Sequence, residues 1–89
     1  MTTDRNWSFL GPNWVKSSAG IEVRRINSVE VRYKGRTLDI SIEAELGRPL
    51  AIYWAAAAKG LNLTQELEDD VRHDLIDAYR AMNVEVDVV

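Results

Sequence analysis

Apolar and polar residues alternate most regularly between positions 29 and 43. Val29, Val31 and Tyr33 are separated by Glu30 and Arg32, and beyond Gly35-Arg36 the series Leu38, Ile40 and Ile42 is separated by Asp39 and Ser41. Period two on both sides of a Gly-X pair predicts a β-hairpin, with Gly35 supplying the positive φ of a type II′ turn. A two-residue loop sets Tyr33 opposite Leu38, Val31 opposite Ile40 and Val29 opposite Ile42 on one face. On the other face it pairs Arg32 with Asp39. Residues 21–25 extend the sheet upstream. A three-residue loop at Ile26-Asn27-Ser28 brings Val23 opposite Val31, Ile21 opposite Tyr33, Glu22 opposite Arg32 and Arg24 opposite Glu30. A slip by one residue would instead turn the apolar side chains to the wrong face.

Gly47-Arg48-Pro49 breaks the chain before Leu50-Ala51-Ile52-Tyr53-Trp54, an apolar run that reads as a strand covered on both faces. Ala55 to Ala58, closed by Gly60, are compatible with one helical turn or an irregular connection. At Thr64 the period changes. Its hydroxyl suits an N-cap, the carboxylates Glu66, Glu68, Asp69 and Asp70 complement the positive end of a helix dipole, and Leu67, Val71, Leu75, Ala78 and Met82 recur as one helical stripe. Asn83 tolerates the left-handed conformation that ends such a helix. Val84, Val86 and Val88 then alternate with Glu85 and Asp87 as a last strand.

The expected layout is one α+β domain spanning residues 1–89. An antiparallel meander (residues 21–25, 29–34, 37–44 and 50–54) precedes one long helix over 64–82, packed on one face, and a C-terminal strand over 84–88. Residues 1–20, with Trp7, Phe9, Leu10 and the turn pair Gly11-Pro12, read as an N-terminal arm packing back on the body, with Trp14 and Val15 as a short strand. The helix stripe should lie against Val31, Tyr33, Ile40, Ile42 and Ile52.

Composition narrows the chemistry. At 89 residues, with 46 % apolar and 28 % charged positions, the chain fits one small globule. No apolar run approaches the roughly 20 residues that cross a bilayer, and the first residues lack a signal-peptide layout, so a cytoplasmic protein is expected. There is no cysteine, and His73 is the single histidine. Disulfides, thiol nucleophiles and cysteine-based zinc sites are thereby excluded, and Ser/His/Asp schemes are strained. The expectation is a non-enzyme without a cofactor or metal.

The net charge of −3 is unevenly placed: residues 1–44 carry +2 and residues 45–89 carry −5. Such asymmetry speaks of partners, because it gives one small body faces of opposite potential. On a helical wheel Glu66, Asp69, His73, Asp77 and Arg80 lie opposite the apolar stripe, with Asp70 at its edge. That arrangement suits a solvated face with pairs such as Glu68 with Arg72, or an acidic recognition surface for a cationic protein. Ile76 is an apolar residue on the polar side, and Asp74 a carboxylate at the margin of the stripe. Asp69, His73 and Asp77 have the spacing of a divalent-metal site, but a single histidine without an ordered loop argues against one. Arg24, Arg25, Arg32, Lys34 and Arg36 form a basic flank. Single-strand nucleic-acid binders add stacking aromatics to such charge, yet Tyr33 shares parity with the core residues.

The order of the last forty residues resembles a known family. An apolar strand (Leu50 to Trp54), a loop to Leu63-Thr64, a helix with an acidic start (Gln65 to Met82) and Asn83-Val84-Glu85-Val86-Asp87-Val88 are similar to the C-terminal half of small α+β immunity proteins of bacterial polymorphic-toxin and contact-dependent inhibition systems. Glu43 or Glu45 stands where that family carries an isolated glutamate in its meander. Where the family commonly shows a tryptophan followed by prolines before the helix, this chain has Ala55-Ala-Ala-Ala-Lys-Gly-Leu. The resemblance implies a protein that binds and neutralises a cognate toxin domain, with no catalysis of its own. Many such toxins present basic clefts, which makes Glu66, Asp69, Asp70, His73 and Asp77 the expected contacts, with Ile76 as an apolar anchor. The alternatives are a small nucleic-acid-binding module using Arg24, Arg25, Arg32 and Arg36, and an accessory subunit that adds its edge strand to a partner's sheet.

Overall fold

In the computed structural model, residues 6–89 are described; residues 1–5 of the expected arm lie outside the described residues. The alternating stretches form strands wherever the pattern has period two. They are β1 (Trp7–Gly11), β2 (Trp14–Ser17), β3 (Glu22–Asn27), β4 (Glu30–Lys34), β5 (Asp39–Glu45), β6 (Leu50–Ile52) and, after two helices, β7 (Val86–Val88). Each pairs with the next in chain order, giving one curled seven-stranded sheet. The fold is α+β, as expected, and residues 7–17 differ from an arm: they are a hairpin that extends the sheet by two strands.

The parity of the central hairpins is as the pattern predicts, while their partners are displaced by two residues. Val31 lies opposite Ile42 and Tyr33 opposite Ile40, so the β4–β5 loop holds four residues, with the Gly35 amide donating to the Leu38 carbonyl at 2.6 Å. Gly35 has no positive φ, and the type II′ turn is not formed. Glycine suits the position for another reason: a Cβ there would stand a tight 3.0 Å from the Tyr33 ring. On the β3 side Val23 faces Tyr33 and Arg25 faces Val31, and a bulge between Arg25 and Asn27 absorbs one residue. Asn27 Oδ1 accepts the Val29 amide at 2.9 Å, closing a turn in which Val29 is 58 % exposed rather than facing Ile42. At the β2–β3 connection Ser17 Oγ accepts the amides of Ala19 and Ile21, and Gly20 takes φ +85°.

Trp54 does not continue β6. It opens α1 (Trp54–Ala58), is fully buried, and its Nε1–H donates to the Glu68 carbonyl at 3.0 Å, tying α1 to the start of α2 (Gln65–Ala81). Thr64 caps α2 as expected, accepting the Leu67 amide at 3.2 Å. Asn83, at φ +60°, ends it, with amide bonds from Asn83 to Arg80 O and from Val84 to Tyr79 O, the pattern of a Schellman motif. The helices return the chain across one face of the sheet, so β7 joins β6 in parallel while every other pair is antiparallel.

The core lies between α2 and the inner face of the sheet. Val71, Leu75, Ala78 and Tyr79 are buried against a cluster that includes Val15, Val23, Val31, Tyr33, Ile42, Ile52 and Trp54. Ile40 and Met82 are half-buried against that cluster, and Leu67 is half-buried at the helix start. The buried stripe is thus centred later on the helix than expected, and it includes Tyr79 and Asp74.

Candidate functional site

Helix α2 turns its polar side to solvent because its apolar stripe is spent on the sheet. Glu66, Asp69, Asp70 and His73 are exposed there, and Asp77 is half-exposed. Few internal cations answer these carboxylates. Among the described residues Arg72 forms no ion pair with Glu68; it lies beneath the helix edge and its Nη1–H donates to the Val88 carbonyl of β7. Arg80 approaches Asp77 only to 3.9 Å, a long i,i+3 pair between partly exposed groups that contributes little. Asp69 accepts from Gln65 Nε2 at 3.0 Å. The outcome is a ridge of negative charge on the solvent-facing side of α2.

Ile76 is placed differently from a free anchor. It is half-buried against the core and forms one wall of an open groove of about 600 Å³, shared with Pro49, Arg80, Val84 and Val86. Among the described residues no three His, Asp or Glu side chains converge as a metal site requires. Asp74 is not at the margin of the stripe but within it, 2 % exposed, with Oδ2 accepting the Tyr33 hydroxyl at 2.7 Å. That bond crosses from α2 to β4 and pins the helix to the sheet. No single-residue signal announces it; only the coincidence of an inward carboxylate and an inward tyrosine hints at it.

The opposite, outer face of the sheet separates into two regions. One holds Lys16, Arg24, Arg32 and Lys34. Arg25 does not belong to it, since it shares the inner face with Val23 and its charge reaches Tyr79. The aromatic missing from the sequence reading is Trp14, whose ring lies under the Arg24 guanidinium. Only the pairing of β2 with β3 reveals this. The other region is acidic: Glu30 lies directly opposite Glu43, and Glu45 accepts the Tyr53 hydroxyl at 2.7 Å. That hydrogen bond, with desolvation and the charges of Glu45 and Glu43, holds the Tyr53 phenol above its ordinary pKa.

No family model matches the chain, and no curated protein or solved structure matches it. Among the described residues no helix is long and apolar enough to cross a membrane.

Proposed function

We propose that this chain is a non-catalytic binding protein that neutralises a cationic partner, and that the partner is a cognate bacterial toxin domain as the immunity-family resemblance implies. One observation carries the protein-binding part: α2 presents Glu66, Asp69, Asp70, His73 and Asp77 to solvent while Arg72 is withdrawn to the end of β7. A helix face that keeps its carboxylates and gives away its cation attracts basic surfaces and repels acidic ones. Where the partner acts on nucleic acid, such carboxylates occupy the positions that phosphates would take. Ile76 and the adjoining groove add apolar area at one end of the ridge.

The test is co-purification with the toxin domain encoded beside this chain, followed by Asp69→Lys/Asp70→Lys/Asp77→Lys. All three positions lie outside the core, so the variant should fold with an unchanged far-UV spectrum. Binding should weaken by about tenfold or more, and binding of the natural chain should fall as salt shortens the Debye length from ~10 Å at 0.1 M. A folded triple variant that still protects cells in full rules out the acidic ridge as the interface.

A further inference from the structure

Cross-strand register places Trp14, Arg24, Arg32 and Ser41 in a single row on the outer face of the sheet, the side away from α2. Arg24 and Arg32 are both exposed and directly opposite one another, an arrangement that by itself destabilises a sheet. Each side chain turns to a partner on the far side from the other. The Arg24 guanidinium lies 4.5 Å from the centroid of the Trp14 ring. Trp14 is fixed in turn by its Nε1–H, which donates to Glu22 Oε1 at 3.0 Å. Its ring carbon Cε3 lies against Gly11, where a Cβ would meet it at 3.5 Å. Arg32 is held from the other side by Asp39, at 2.7 Å. Arg24 is thus drawn toward β2 and Arg32 toward β5, so two exposed guanidinia stand above adjacent strands and lean apart.

The next row along the strands is Lys16, Glu22, Lys34 and Asp39, alternating in sign. In the opposite direction Glu30 lies opposite Glu43, so the positive region ends there. In that row Glu22 is engaged by Trp14 and Asp39 by Arg32, which leaves Lys16 and Lys34 beside an anion seated on the arginines. It would relieve the repulsion that the free sheet sustains.

We propose that this half of the outer face binds single-stranded nucleic acid. The N–H groups of Arg24 and Arg32 each take one phosphate of the strand, for which the guanidinium fork is suited. The open face of the Arg24 guanidinium, held flat by Trp14, takes a base by stacking. Lys34 and Lys16 accompany the backbone as it leaves. A planar stacking surface beside the paired cations favours nucleic acid over an acidic peptide, which has phosphate-like charge but no bases to stack. This site lies across the sheet from the acidic ridge, and it stands or falls independently of the protein-binding role.

The experiment is fluorescence anisotropy of the full chain with a labelled oligo-dT of about 12 nucleotides and a poly-glutamate peptide of equal length. The oligonucleotide should bind with an affinity that falls as salt rises. Arg24→Gln/Arg32→Gln should weaken it by about tenfold or more and reduce the log–log salt slope by roughly 1.4, about 0.7 for each of two phosphates of a single strand. Arg24→Lys keeps the charge and removes the flat group, so it should retain the slope yet lose about fivefold or more in affinity. Absence of oligonucleotide binding at low salt overturns the proposal. Equal binding by poly-glutamate, or a folded double variant that binds like the natural chain, overturns it as well.

Discussion

Tyr79 is 1 % exposed, and among the described residues its hydroxyl has no hydrogen-bond partner. Burial raises its pKa to about 12, with the charge of Arg25 pulling the other way. The sign of the consequence follows from proton counting. Between pH 10 and about 12 the folded chain keeps this proton while the unfolded chain releases it, so stability present below pH 10 is lost as pH rises. The loss approaches 1.4 kcal/mol per pH unit in that window. Tyr79→Phe removes both the unpaired hydroxyl and the alkaline titration. It should be as stable as the natural chain at pH 7, or more stable by about 1 kcal/mol, and should lose less stability between pH 9 and 11. Denaturant titrations of the two proteins across that range measure the difference; a variant clearly less stable at pH 7 would show that the hydroxyl is satisfied. Tyr33 is the contrasting residue, since its hydroxyl meets Asp74 and its ring packs tightly against Gly35.

Among the elements, α2 is the one whose local signals and tertiary role agree most closely. Its N-cap, acidic first turn and left-handed Asn83 come from short-range chemistry, and its stripe from period 3.6. Packing then decides how much each position contributes. Leu75 is fully buried at the centre of the contact with the sheet, so Leu75→Ala should cost roughly 2–5 kcal/mol. Thr64→Ala should cost about 1 kcal/mol, because only the cap bond to Leu67 is lost. Urea unfolding of both variants tests the ranking, and a reversed order would contradict the observed packing. β5 shows an element divided between two roles: its early residues pair with β4, and Ala44 and Glu45 pair with β6. That division is what curls the sheet around α2.

At the scale of the whole molecule, the sheet has two unequal ends. β7 is covered by α2, and its Val88 carbonyl is bonded by Arg72. Among the described residues β1 pairs only with β2, and it exposes Phe9 and Leu10. Local opening should therefore begin at β1, so that hydrogen exchange at its amides is faster than at β3 and β4, which have neighbours on both sides. Exchange measured by peptide mass spectrometry checks this, and equal protection across the sheet would refute it. Charge follows the same division into sides. The acidic ridge lies on α2, and the exposed arginines lie across the sheet, so one small body carries opposite potentials on opposite sides.

Local periodicity determined which parity of β3 to β5 faces the core, and short-range cap chemistry where α2 begins and ends; together they made the fold α+β. These features survive a register shift of two residues, because side-chain direction in a strand repeats every two. The partners across the strands did not follow from the pattern. A four-residue loop at Gly35 and a bulge near Ile26 moved both pairings, and those choices depend on Tyr33 seated against Gly35 and on the Asn27 turn. Trp54 looked like strand because burial on both sides suits either element; its indole bond to Glu68 exists only once α2 is docked. The acidic ridge could be placed from helical geometry, a short-range property. The Tyr33–Asp74 bond, the parallel β7 and the Trp14–Arg24–Arg32 row join residues far apart in the chain or depend on register, and only the assembled sheet and helix bring them together.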